Sequence, residues 1–187
     1  MPPAYSEFSP GARIAQYVEC YWFLEVRRGR PSHQVLPDGC VDILFSKPNA
    51  QPAALTVVGL MTAPVSPSLE PGECFFGVRF RPAMASALIP ETAALTDKVE
   101  PLESFWGSKA NGLLNRLAEC RSGEEMARIV ERELRPLEPP DALDRALSRL
   151  SSGNPEGLSY LAEEHGMSAR HFRRRCQVRS GVPPKLL

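Results

Sequence analysis

The sequence predicts an α+β protein: an antiparallel β-rich sandwich or barrel, then a helical hairpin, then a C-terminal unit of three helices. Three observations carry that reading. Segments rich in Val, Ile, Phe, Tyr and Trp fill the first 80 residues. Residues that favour tight turns separate those segments, so neighbours run antiparallel. Beyond Arg81 the apolar residues recur at three and four instead of two, the spacing of a helix face. Strands followed by helices, instead of alternating with them, argue against a doubly wound sheet.

The predicted strands are "QYVECYWFLEV" (16–26), "CVDILF" (40–45), "LTVVGLM" (55–61) and "CFFGVRF" (74–80). "PDG" at 37–39, "KPNAQP" at 47–52 and "EPG" at 70–72 supply the fixed or positive φ that reverses the chain between them. After Arg81, "PAMASALI" reads as a short helix opened by Pro82, and "PLESFWG" as another ended by Gly107. Leu113, Leu114 and Leu117 mark the first arm of a hairpin, and Met126, Ile129, Val130 and Leu134 the second. Ser122 and Glu125, three apart, match a capping box at the start of the second arm. "RPLEPPDA" (135–142) has three prolines in eight residues and marks a linker, which divides the chain into domains 1–136 and 137–187.

Three short helices follow the linker. The first spans 141–151, with Leu143, Ala146, Leu147 and Leu150 on one face and Gly153 as its stop. Asn154 caps the second, Pro155 fits its first turn, and it runs to His165. Ser168 caps the third, which ends near Gly181.

With 187 residues, 43% hydrophobic and 24% charged, the chain has enough apolar surface for a substantial core. No basic segment followed by an apolar run opens it, and its longest apolar runs fall far short of the roughly 20 residues that span a bilayer. The reading is a cytoplasmic protein with no membrane partner. Five cysteines, an odd number with no CxxC pair, argue against a disulfide framework or a zinc ribbon. The formal charge is zero only on average. Six of the 22 Lys and Arg lie in residues 166–187 with no acid among them, leaving 16 bases against 22 acids in the rest. So uneven a distribution points to a polyanion as partner of the C-terminal segment.

The stretch "LAEEHGMSARHFRRRC" (161–176) gives that partner a geometry. Two helices that cross over a very short turn need a small residue at the crossing and a glycine in the turn, and Ala162 and Gly166 supply them. Phe172 and Cys176, four apart, then face inward over Leu158 and Leu161. The outward face carries Arg170, Arg173, Arg174 and Gln177, flanked by His171, Arg175 and Arg179. A helix kept soluble by arginines usually interleaves acids at i,i+4, and this one has none. The arginine fork donates two parallel hydrogen bonds to a guanine edge in the major groove, or to phosphates at the rim, so the expected partner is double-stranded DNA.

The run "LAEEHGMSARHFRRRCQVRSGVPPK" resembles the first helix-turn-helix of AraC-type transcriptional regulators, in its LAxxxGxSxRxFxRxx spacing and the later Gly-x-x-Pro-Lys. The likeness covers roughly 141–187. It implies that Arg170, Arg173 and Arg174 face bases; Cys176 departs from the pattern, where a large aromatic is usual. Regulators of that type carry a linking helix and a second helix-turn-helix, so either the chain is a fragment of a longer regulator, the favoured reading, or a homodimer supplies the second reading head. "YW", "LPDGCVDILF", "VVG" and "FFGVRFRP", in that order, are similar to the β-rich region that precedes the reader in such regulators. That implies a module for ligand sensing or dimerisation over residues 10 to about 136, and RNA polymerase as a partner if the protein is an activator.

Chemistry other than regulation finds little support. A cupin-type metal site needs two or three histidines near a carboxylate, and His33 alone lies in the strand region, so no metal is expected. No GxSxG, P-loop or dinucleotide fingerprint appears, so neither an enzyme nor a cofactor is expected. Asp38 and Asp42 around "PDGCVD", Arg79 and Arg81 two apart on a strand, and Trp22 are candidate effector-binding residues. The same acids and arginines also suit internal salt bridges or a capped turn, and Trp22 with Tyr21 and Phe23 suits a core as well as a ligand wall. The alternative to a regulator is a non-catalytic small-molecule or protein-partner binding module whose DNA-binding half is vestigial.

Overall fold

The structure, a computed structural model, describes residues 4–27, 34–89, 91–134, 140–151, 157–180 and 184. Six strands, β1 (Ala4–Phe8), β2 (Val18–Glu25), β3 (Asp42–Lys47), β4 (Ala54–Val58), β5 (Cys74–Phe80) and β6 (Val99–Pro101), form one sheet in the order β1-β2-β5-β3-β4-β6. Every pair is antiparallel. The α+β class is therefore as the sequence predicts. The facing layer is helical, so among the described residues the strands make one open sheet, neither a two-sheet sandwich nor a closed barrel.

Alternation along the strands sorts the side chains between two faces. Ile43 and Phe45, Leu55 and Val57, and Phe76, Val78 and Phe80 are buried on the helical side. β2 sends both Val18 and Tyr21 there although they are three apart, which an irregularity in its ladder between Val18 and Cys20 permits. The helical layer follows from a short helix α1 (Glu103–Trp106), ended by Gly107 in a left-handed φ as expected. In α2 (Ser108–Glu119) Ala110, Leu113 and Leu117 are buried; in α3 (Gly123–Glu133) Met126, Ala127 and Val130 are. The serine half of the capping box forms, with Ser122 Oγ accepting the Glu125 N–H at 3.2 Å, while the Glu125 carboxylate reaches one residue further back and accepts the Arg121 N–H at 3.0 Å. The first residue of α3 must be glycine, because a Cβ there falls 2.6 Å from Phe8 and Phe23.

The C-terminal unit comprises α4 (Ala142–Ser151), α5 (Gly157–Glu164) and α6 (Ala169–Ser180). It has a core of its own: Leu143, Ala146, Leu147, Leu161, Ala162, Phe172 and Cys176. The expected stop at Gly153, cap at Asn154, first-turn Pro155 and end at Gly181 lie outside the described residues, as do His33 and the boundary at 136/137. The two units touch. Ala83 packs into the trihelical core, and the 3-10 turn Thr92–Leu95 lies against α6. The predicted helix after Pro82 is likewise a 3-10 turn, Met84–Ala87.

Candidate functional site

Two groups of the expected site residues can be built from the fold upward. The first is the outward face of α6. Its N-terminus is fixed locally: Ser168 Oγ accepts the His171 N–H at 3.3 Å, Ser168 C=O accepts the Phe172 N–H at 2.9 Å, and the preceding Gly166 has φ 61°. The Met167 N–H donates to Ala162 C=O at 2.8 Å, which tucks Met167 against the core beside the small residue at the crossing. Phe172, Cys176 and Ser180 form the buried stripe at i, i+4 and i+8. At about 100° per residue that stripe turns Arg170, Arg174 and Val178 to the opposite side, with Gln177 and Arg175 on its flanks and Arg173 nearest its margin. All of these, and His171, are exposed. Val178 is 72% exposed, a large apolar side chain set among the guanidiniums. Among the described residues, none of Arg170, Arg173, Arg174 and Arg175 has an ion-pair partner.

Arg179, expected on the same face, behaves differently. Its Nε lies 2.8 Å from Asp144 Oδ1 and its Nη2 2.9 Å from Asp144 Oδ2, on α4. Asp141 adds a longer contact at 3.7 Å. Hydrogen bonding to Asp144 holds the guanidinium above even the usual arginine range. A second bridge, Arg149 Nη1 to Glu164 Oε2 at 2.8 Å, ties α4 to α5.

The second group lies on the sheet face away from the hairpin. Cys20, Arg79 and Asp42 are neighbours across β2, β5 and β3, and Trp22 stands opposite Gly77. The indole lies flat over that glycine, where a Cβ would sit 2.0 Å from Trp22 Cε2, and so reaches across β5 to donate Nε1–H to Asp42 Oδ2 at 3.2 Å. Arg79 lies 3.2 Å from Asp38 Oδ2 and 3.5 Å from Asp42 Oδ1. Asp38 also caps its own turn, accepting the Cys40 N–H at 3.0 Å. Four of the five candidates, Trp22, Asp38, Asp42 and Arg79, therefore come together. Arg81 does not join them: its Nε–H donates to Ala15 C=O at 2.8 Å and braces the 12–17 turns.

Burial dominates the electrostatics of this cluster. It pushes the Asp42 carboxyl up to about 6, against the pull of Arg79 in the opposite direction. Burial also works against the Arg79 charge, but Asp42 and Asp38 more than offset it and hold the guanidinium above its usual range. The thiol of Cys20 is pushed up to about 11 and that of Cys40 higher still, chiefly by burial, so both stay protonated. Asp42 Oδ1 and Arg79 Nε are buried and close without an aligned hydrogen bond between them.

Three features had no signal in the residue pattern. Tyr5 of the edge strand β1 stacks on Trp22 with ring centroids 6.4 Å apart. The Glu19 carboxylate accepts from Cys40 Sγ at 3.6 Å. An open cavity of about 350 Å³ lies between Gly11, Ala12 and Arg13 on one side and Arg128, Glu131 and Arg132 of α3 on the other, residues more than a hundred apart in sequence. Among the described residues no helix is long and apolar enough to cross a membrane. Residues 6–101, just over half of the chain, match a family described as a domain of unknown function, DUF6597. The match ends with β6, so it includes the Trp22–Asp42–Arg79 cluster and not α6. No curated protein and no solved structure matches the chain.

Proposed function

We propose that this chain, which belongs to the DUF6597 family, is a DNA-binding transcriptional regulator: its β-rich unit senses a small-molecule effector and its α6 enters the major groove. The observation that carries this reading is the run of exposed, acid-free arginines on α6, turned outward by the buried pair Phe172 and Cys176. The resemblance of residues 161–185 to the first helix-turn-helix of AraC-type regulators supports it. Arg170, Arg173 and Arg174 are the base-reading candidates, with Gln177 and His171 beside them. A single unit of this size makes few phosphate contacts, so affinity is modest and salt-dependent, and a second reading head, from a homodimer or a longer chain, raises it.

The effector site in this reading is the cluster of Trp22, Asp38, Asp42 and Arg79. Regulation is a population shift. An effector that favours one arrangement of the two units biases how the reading heads are presented, and one with equal affinity for both arrangements shifts nothing. Effector-dependent recruitment of RNA polymerase is the activator form of the same scheme.

The test is selection of a preferred duplex from a random pool, followed by titration of the native chain and Arg173→Ala. The variant is expected to lose about 1–3 kcal/mol and to relax discrimination at one base pair. Indifference to Arg173→Ala at low salt overturns the reading in favour of a binding module with a vestigial DNA-binding half.

A further inference from the structure

Of the five arginines on α6, four have no acidic partner among the described residues and the fifth, Arg179, is held by a carboxylate. Arg179 lies seven residues beyond Phe172, almost two full turns, so it leans toward the buried side of the helix. There it meets Asp144, only 6% exposed, through two parallel N–H···O bonds of 2.8 and 2.9 Å. That fork-to-carboxylate geometry fixes direction as well as distance.

The acceptor is itself immobilised. Asp141 and Asp144 cap each other across the first turn of α4: the Asp144 N–H donates to Asp141 Oδ1 at 2.8 Å and the Asp141 N–H to Asp144 Oδ2 at 3.3 Å. The start of α4, with its partial positive charge, and the Arg179 guanidinium thus share two carboxylates. The apolar contacts of Phe172 and Cys176 also hold α6, and such packing resists sliding less well than a bidentate bond.

We infer that Arg179 is a positioning residue: through Asp144 it sets the angle of α6 against α4 and does not belong to the array that meets DNA. The functional readout rests on the DNA-reading proposal; the geometric claim has a readout of its own. The two make different predictions for salt dependence. An arginine that neutralises a phosphate releases counterions, and its removal lowers the slope of log K against log salt by about 0.9, whereas a positioning residue weakens binding and leaves the slope unchanged.

The experiment uses the full chain and the duplex selected as above, titrated over a range of salt, with Arg179→Gln, Arg179→Lys, Asp144→Asn and the double variant R179Q/D144N. Each single variant is expected to weaken binding about tenfold at an unchanged slope. Arg179→Lys counts among them because lysine keeps the charge and loses the fork. The double variant is expected to lose no more than the worse single one, since it leaves no buried charge unpaired. Without DNA, amide exchange across α6 is expected to speed up in the single variants while the sheet amides of Ile43 and Val78 keep their protection. A slope lowered by about 0.9 in Arg179→Gln, with Asp144→Asn neutral, overturns the inference and makes Arg179 a phosphate contact. If the native chain binds no duplex, the DNA reading fails, and exchange alone then decides: unchanged α6 protection in both single variants overturns positioning as well.

Discussion

Asp42 shows how one side chain sets a pH dependence. Its folded-state pKa lies at about 6, above the ordinary carboxylate value, because burial outweighs the pull of Arg79. The folded state therefore binds the proton more tightly than the unfolded chain. The contribution of this group to stability is greatest below the ordinary value and is lost as pH rises to about 6. Asp42→Asn removes that loss. In urea unfolding, the stability of the variant relative to the native chain is expected to rise between pH 4 and pH 7, by up to about 3 kcal/mol; a flat or falling difference contradicts the account. The grouping of Asp38, Asp42 and Arg79 was legible because alternation in a strand dictates which side chains share a face. Arg81 was misplaced because it follows Phe80, the last ladder position, where alternation no longer governs. Trp22 and Tyr21 could not be told apart from composition. Only the sheet order puts Tyr21 against the helices and Trp22 over Gly77.

The elements with strong periodicity were the ones that could be read. α2 and α3 bury the leucine and Met/Val stripes that define them, and the Ser122 cap forms where the spacing placed it. β1 and β6 were not read, since an edge strand of three to five residues packs against one neighbour and needs little apolar pattern. The predicted strand 55–61 stops at Val58 although its apolar run continues. The cause is Gly59: a Cβ there would lie 1.8 Å from the Leu95 carbonyl oxygen, so the backbone of the Thr92–Leu95 segment crosses where a longer strand would need side chains. Gly59→Ala forces backbone apart and is expected to destabilise the chain by about 1–3 kcal/mol, read as a lower urea midpoint. An unchanged midpoint removes this explanation of the strand end.

For the whole molecule, what matters is how two cores are joined. The class and the order of strands, hairpin and trihelical unit were legible from changes in period and from a proline-rich stretch. The docking was not, because Ala83 meets the trihelical core across more than fifty residues of chain. The three non-glycine residues with left-handed φ among those described, Ala83, Glu91 and Asp97, all lie in the segment that makes this contact. Backbone held in sparsely populated conformations costs of order 1–3 kcal/mol per residue and persists where packing demands it. That segment leaves β5 after Phe80, the neighbour of Arg79, so the Asp42–Arg79 cluster and α6 are joined by a short, constrained path.

In the proposed regulator this path connects effector to reader, and every step of it presupposes that the α6 arginines meet DNA. The most direct measurement is the salt dependence of duplex binding by the native chain and by the triple variant R170Q/R173Q/R174Q, with circular dichroism confirming that α6 is retained. The account predicts that log K for the native chain falls linearly with log salt, and that the triple variant binds more weakly, with no preference for the selected duplex over a scrambled one. Equal affinity and equal preference in the two proteins contradicts it.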